Sequence, residues 1–71
     1  MVYKQTPESS QISSIGYDAD TKIFEIVYKS NQSKYHYKDV SPNLWVEAQN
    51  CESIGKFCGA HIKSHKFTKV A

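Results

Sequence analysis

The 71-residue sequence contains no arginine. Arginine's planar fork grips phosphates and base edges in a bidentate way that a lysine point charge does not reproduce. Its absence argues against precise phosphate or base readout and leaves lysine to supply non-specific charge. Long apolar runs are missing as well. The longest, around Ile23–Tyr28, is interrupted by Glu25 and is far too short to span a bilayer. No apolar leader follows Met1, because Tyr3, Lys4, Gln5, Pro7 and Glu8 come at once. No signal peptide is expected, and a cytoplasmic location is the default. Acid is absent from the C-terminal end: after Glu52 the chain carries four lysines and two histidines but no Asp or Glu.

Two further absences narrow the chemistry. Gly55 and Gly59 form no phosphate loop, since no strand precedes them and no Gly-Lys-Ser/Thr follows. Lying four apart on a helix, each weakens it by up to ~1 kcal/mol relative to alanine. Close approach of a neighbouring backbone is the use expected of them. Cysteine occurs twice, as Cys51-x6-Cys58, which is not a zinc knuckle. Cys58-x2-His61-x3-His65 can lie along one helical side, but zinc modules pair two close cysteines with two close histidines. Two reduced, largely buried thiols are expected, with no metal and no cofactor.

What is present suits one small domain. A chain of this size buries roughly 60% of its unfolded surface, so each large ring counts for much of the core. The net charge of +2 names no partner, but its distribution is uneven. Residues 1–28 hold two lysines against Glu8, Asp18, Asp20 and Glu25, whereas residues 29–71 hold seven lysines against Asp39, Glu47 and Glu52. A solvated lysine-rich face is the commoner explanation for such a basic end, ahead of a polyanionic partner.

Residues 1–9 are polar and are expected to be a flexible N-terminus. Ser10–Tyr17 reads as a first strand. Ile12 and Ile15 would fall on opposite faces of a regular strand, so a bulge is expected, with Gly16 as its candidate site. Asp18-Ala19-Asp20-Thr21 makes a turn. The next strand sends Phe24, Ile26 and Tyr28 to one face and Ile23, Glu25 and Val27 to the other. After Ser30-Asn31-Gln32-Ser33, a third strand alternates Tyr35 and Tyr37 with Lys34, His36 and Lys38.

Ser41-Pro42 opens a helix that runs to about Gln49, bearing Leu44, Trp45 and Ala48. Ser53 caps a second, whose stripe is Ile54, Phe57, Cys58, His61 and Ile62, with His61 at the edge of the core. The fold class is therefore α+β: a three-stranded antiparallel meander with two short helices on one face, and a C-terminal tail over 66–71 able to add a short strand. The helices are expected to cover the aromatic face. Phe57 and Ile62 are then buried against Phe24, Ile26 and Tyr28, and Lys34, His36 and Lys38 look outward.

The order of these motifs resembles the KTSC domain family, a module also found at the C-terminus of some lysyl-tRNA synthetases. The resemblance rests on Ile12-Ser13-Ser14-Ile15-Gly16-Tyr17-Asp18, Phe24-x-Ile26-x-Tyr28, Tyr35-x-Tyr37, Val40-x-Pro42 and Trp45, and Ser53-Ile54-Gly55-Lys56-Phe57 followed by His61-Ile62-Lys63. It covers residues 10–65. Trp45 departs from the more usual tyrosine, and the basic set is lysine only. The resemblance implies a stand-alone bacterial or phage domain whose suggested role is RNA binding, without established chemistry.

The expected function is that of a non-catalytic RNA-binding module for single-stranded RNA or tRNA. Lys34 and Lys38 would meet phosphates, His36 would stack or hydrogen-bond, and Lys63, His65 and Lys66 would extend the track. Tyr35 and Tyr37 read first as core-edge rings and second as base-stacking contacts. The alternative is a protein-interaction module using Ile23 and Val27 as an apolar patch on the outer face. A small nuclease drawing on His36, His61 and His65 is a third reading, for which nothing in the sequence fixes a geometry.

Overall fold

Alternation of period two runs further along the chain than the clearest strands suggest. The computed structural model describes residues 1–7 and 9–70. It contains β1 (Val2–Gln5), β2 (Ile12–Asp18), β3 (Ile23–Tyr28), β4 (Lys34–Tyr37) and β5 (Phe67–Lys69). Each strand pairs antiparallel with the next, in the order β1-β2-β3-β4-β5. Between β4 and β5 come α1 (Pro42–Asn50) and α2 (Ile54–Phe57), the latter continuing as a π turn over Cys58–Ile62. The protein is an α+β domain with five antiparallel strands and two helices. The expected three-stranded meander is its centre.

The two added strands are the edges. β1 lies within residues expected to be flexible, where Lys4 and Gln5 disguise the alternation. Thr6, only 2% exposed, anchors it. The Thr6 N–H donates to the Ser13 carbonyl at 3.1 Å, and its hydroxyl donates to the Ile12 carbonyl at 2.8 Å. β5 is carried by Phe67, whose ring packs on Tyr35 and Tyr37. Backbone bonds of 2.8 Å from Lys38 N–H to Lys66 and from Val70 N–H to Lys34 extend the β4–β5 ladder.

The expected bulge exists but falls at Ser13. Ile12 pairs with Tyr28 and Ser14 with Val27, leaving Ser13 as the extra residue. Ile12 and Ile15 thereby share the inner face, both buried. Gly16 has a different purpose. A Cβ there would lie 2.9 Å from the Tyr3 ring and 3.0 Å from the Met1 sulfur, so its absence lets both side chains lie flat on the outer face.

α1 begins at Pro42, whose missing N–H costs nothing at the first helical position. It lies over the β1–β3 end of the sheet. Trp45 stacks on Tyr17 (centroids 5.8 Å apart, planes at 14°) and meets Phe24 edge-on at 5.8 Å. The Lys4 ammonium reaches the Gln49 carbonyl. Ser53 caps α2 by accepting from the Lys56 N–H at 3.4 Å. Ile54, Cys58 and Ile62 from this second helical segment enter the core.

Two expectations about that segment fail. Phe57 is only half-buried and His61 is exposed, the two rings packing on each other at 4.9 Å. In the π turn the Lys63 N–H reaches back five residues, to the Cys58 carbonyl at 2.9 Å. That wider turn breaks the 3.6-residue stripe on which His61 was placed. Nor do the glycines admit a close backbone: a Cβ at Gly59 would meet nothing within 4 Å, and one at Gly55 only the Gln11 side chain at 3.7 Å. Gly59→Ala should therefore raise stability by about 0.5–1 kcal/mol, because helix propensity improves with no steric penalty. A urea midpoint below wild type would show that the π turn needs glycine.

Candidate functional site

The aromatic face is not fully covered. Because α1 sits over the β1–β3 end, the rings of β4 and β5 are left at an open groove. Tyr28, Tyr35, Tyr37 and Phe67 line it, with Lys63 beside them and Ser30, Asn31 and Ser33 at the rim, enclosing about 510 Å³. The rings form a connected set. Tyr28 and Tyr35 meet edge to face at 5.5 Å, and Phe67 tilts against Tyr35 at 5.7 Å and Tyr37 at 5.5 Å. Phe67 remains 57% exposed, while Tyr28 and Tyr35 are half-buried. The Lys63 ammonium lies 6.0 Å from the centroid of Tyr28, within range of a cation–π contact. Lys69 pairs with Tyr35 across the β4–β5 ladder and so projects to the same side.

On the opposite side, five residues form one cross-strand row: Tyr3, Gly16, Glu25, His36 and Thr68. Glu25 is 5% exposed, and its carboxylate meets His36 Nε2 at 2.7 Å. A carboxyl this deep needs a partner, and the ladder register supplies one directly opposite. Val27, on the same face, is only 7% exposed, and Ile23 is half-exposed. The expected apolar outer patch is thus half missing, because β3 is the central strand and Val27 is flanked by Ser14 on β2 and Lys34 on β4.

The residues singled out from sequence therefore divide between two surfaces. Lys34 and Lys38 are exposed on the outer side of β4, but His36 between them is held by Glu25. Tyr35 and Tyr37 belong to the groove, Tyr37 as a buried floor at 4% exposure. Lys63 borders the groove as well. Lys66 and His65 lie where β5 begins, with His65 Nδ1 3.2 Å from the Lys38 carbonyl. Sequence reasoning missed Phe67, Lys69 and the Ser30-Asn31-Ser33 rim. The alternation of Phe67 and Lys69 about Thr68 was the available signal.

The lysines also differ in freedom. Lys4 and Lys29 direct their ammonium groups to backbone carbonyls of Gln49 and of Pro7 and Ser9. Lys34, Lys38, Lys63, Lys66 and Lys69 are exposed around β4 and β5. Burial pushes the Cys58 thiol up to about 12, with nearby Cys51 adding to the shift. It is an unreactive core group, and Cys51 and Cys58 are both free thiols. Tyr37 is also raised, first by burial and then by the Tyr28 hydroxyl. Among the described residues no cluster of three or more His, Cys, Asp or Glu side chains is arranged to hold a metal ion. Nor, among them, is any helix long and apolar enough to cross a membrane.

Comparison with known proteins agrees with this architecture. The chain is similar to the crystal structure of a KTSC domain protein from Yersinia pestis, with a TM-score of 0.86 and 29% sequence identity over 99% of this chain and 100% of that one. A profile of the KTSC domain matches residues 8–67. That span takes in three of the five strands whole, both helices and the start of β5. The chain belongs to the KTSC domain family.

Proposed function

We propose that the protein is a non-catalytic binding module for single-stranded RNA and that the β4–β5 groove is its principal contact surface. The observation that carries this reading is the open aromatic set Tyr28, Tyr35 and Phe67 with Lys63 at its border. Bases stack on exposed rings largely regardless of identity, and lysines beside the rings engage phosphates as point charges. The polar rim of Ser30, Asn31 and Ser33 offers short side chains to base edges or ribose hydroxyls. Lys34, Lys38, His65 and Lys66 lie around the β5 edge and extend the charge beyond the groove. His36 is removed from the contact set, because its engagement with Glu25 leaves it poorly placed to stack. The protein-interaction reading loses support with the burial of Val27.

Charge-dominated binding falls steeply with salt, the log–log slope being about −0.7 per phosphate engaged on a single strand. Replacing Lys63 and Lys69 together by alanine should flatten that slope by about 1.4 units. Both side chains are exposed, so the melting temperature should change little. The check is a salt titration of anisotropy with a labelled unstructured RNA for the native protein and the double variant. Identical slopes would remove the groove from the interface, and no binding at low salt would reject the RNA reading.

A further inference from the structure

β1 and β5 are the two free edges of the sheet, and they differ in how they are protected. The β5 edge carries Lys69 and is preceded by Lys66, charges that repel a second copy. The β1 edge has no such guard. Its single charged side chain, Lys4, is turned toward α1 and bound to the Gln49 carbonyl. Met1, Val2 and Tyr3 stand 44%, 62% and 58% exposed, although Tyr3 and Met1 already rest on Gly16.

The hydrogen-bond phase of the ladder fixes which backbone groups are unpaired. Thr6 N–H bonds to Ser13, and Thr6 lies opposite Ser13 by the register that sets Gln5 against Ser14. Alternation then turns the backbone groups of Lys4 and Val2 inward to β2 and those of Tyr3 and Gln5 outward to the free edge. We infer that this edge pairs with β1 of a second copy of the chain, antiparallel about a two-fold axis through Tyr3, giving one continuous ten-stranded sheet.

Two constraints limit the register. Outward groups must face outward groups, and side chains directly opposite must lie on the same face of the sheet. Centring on Tyr3 satisfies both: Tyr3 of each copy exchanges two bonds with the other, and Gln5 N–H donates to the Met1 carbonyl of the second copy. Centring on Lys4 would set two lysines directly opposite. Centring on Gln5 would set Tyr3 against Pro7, which has no N–H to give. In the Tyr3 register the rings and Met1 side chains of both copies meet on the outer face, and Val2 lies beside the Lys4 stem of the second copy. Four or five residues a side make a small interface, so association is weak and concentration-dependent.

Sedimentation of the full chain from about 10 μM to about 1 mM spans the range of such a weak interface. The mass should rise from 8.1 kDa toward twice that value. Tyr3→Pro removes an N–H that bonds nothing within the monomer, a position where an edge strand accepts proline. It should stay monomeric throughout while melting as a folded domain. If that variant fails to fold, amide exchange of the wild type decides. Tyr3 and Gln5 N–H should gain protection as concentration rises, while Val2 and Lys4 N–H are protected already in the monomer. A wild type that stays monomeric at the top of the range would overturn the inference. So would a folded Tyr3→Pro that dimerises equally well, or a dimer in which Tyr3 N–H stays unprotected.

Discussion

Replacing Phe24 with alanine should leave the protein largely unfolded or barely stable at 25 °C. Phe24 is 0% exposed, lies on the central strand and meets Trp45 edge-on. Truncating a buried phenylalanine costs about 3–5 kcal/mol, from lost transfer energy and the cavity left behind. A chain of this length has roughly 4–11 kcal/mol of stability in total, toward the low end for so small a core. Phe57→Ala is the contrast, because Phe57 is half-buried; it should cost about 1–2 kcal/mol, nearer an ordinary substitution. Urea denaturation of the two variants beside wild type measures the difference. Equal midpoints for Phe24→Ala and Phe57→Ala would contradict the burial of β3 beneath α1.

Raising the pH should produce the second large effect. The Cys58 thiol is raised from its ordinary value to about 12, chiefly by burial, and Tyr17 and Tyr37 are raised in the same direction for the same leading reason. Each group holds its proton more tightly in the folded state than in the unfolded one. Stability from Cys58 is therefore complete below about pH 9, its unfolded value, and is lost as pH climbs toward about 12. By pH 11 the loss from Cys58 alone is roughly 2–3 kcal/mol, and the tyrosines add to it above their unfolded value of about 10. Melting curves between pH 8 and about 11 should show a steep fall, and Cys58→Ala should flatten the part below about pH 10. A wild-type curve without slope there would mean that Cys58 titrates as an exposed thiol.

The centre of this fold could be read from the sequence because its periodicity is unambiguous. Phe24, Ile26 and Tyr28 alternate strictly, and Ser41-Pro42 and Ser53 mark the helix starts at the positions found. The edges were obscured for a physical reason. An edge strand buries little, so β1 and β5 tolerate polar residues, and all their residues are exposed. The bulge followed from the odd spacing of Ile12 and Ile15, but Gly16 lies outside that interval; only Ser13 or Ser14 can be the extra residue, and the register makes it Ser13. The groove escaped notice because it depends on where the helices stop. Helical stripes say which residues are buried, not how many strands two short helices can cover. The Glu25–His36 pair needed the hairpin register, which an Asn31-containing turn with Gln32 at positive φ (57°) sets.

The groove's role is tested most directly by titrating a labelled, unstructured single-stranded RNA with wild type and with Phe67→Ala at low salt. Phe67 is 57% exposed, so its truncation should leave the fold standing, as parallel melting curves would confirm. Loss of one stacking ring is worth about 1–3 kcal/mol, so affinity should fall roughly 5- to 150-fold. Unchanged affinity in a folded Phe67→Ala variant would contradict the assignment of the groove as the RNA-binding surface.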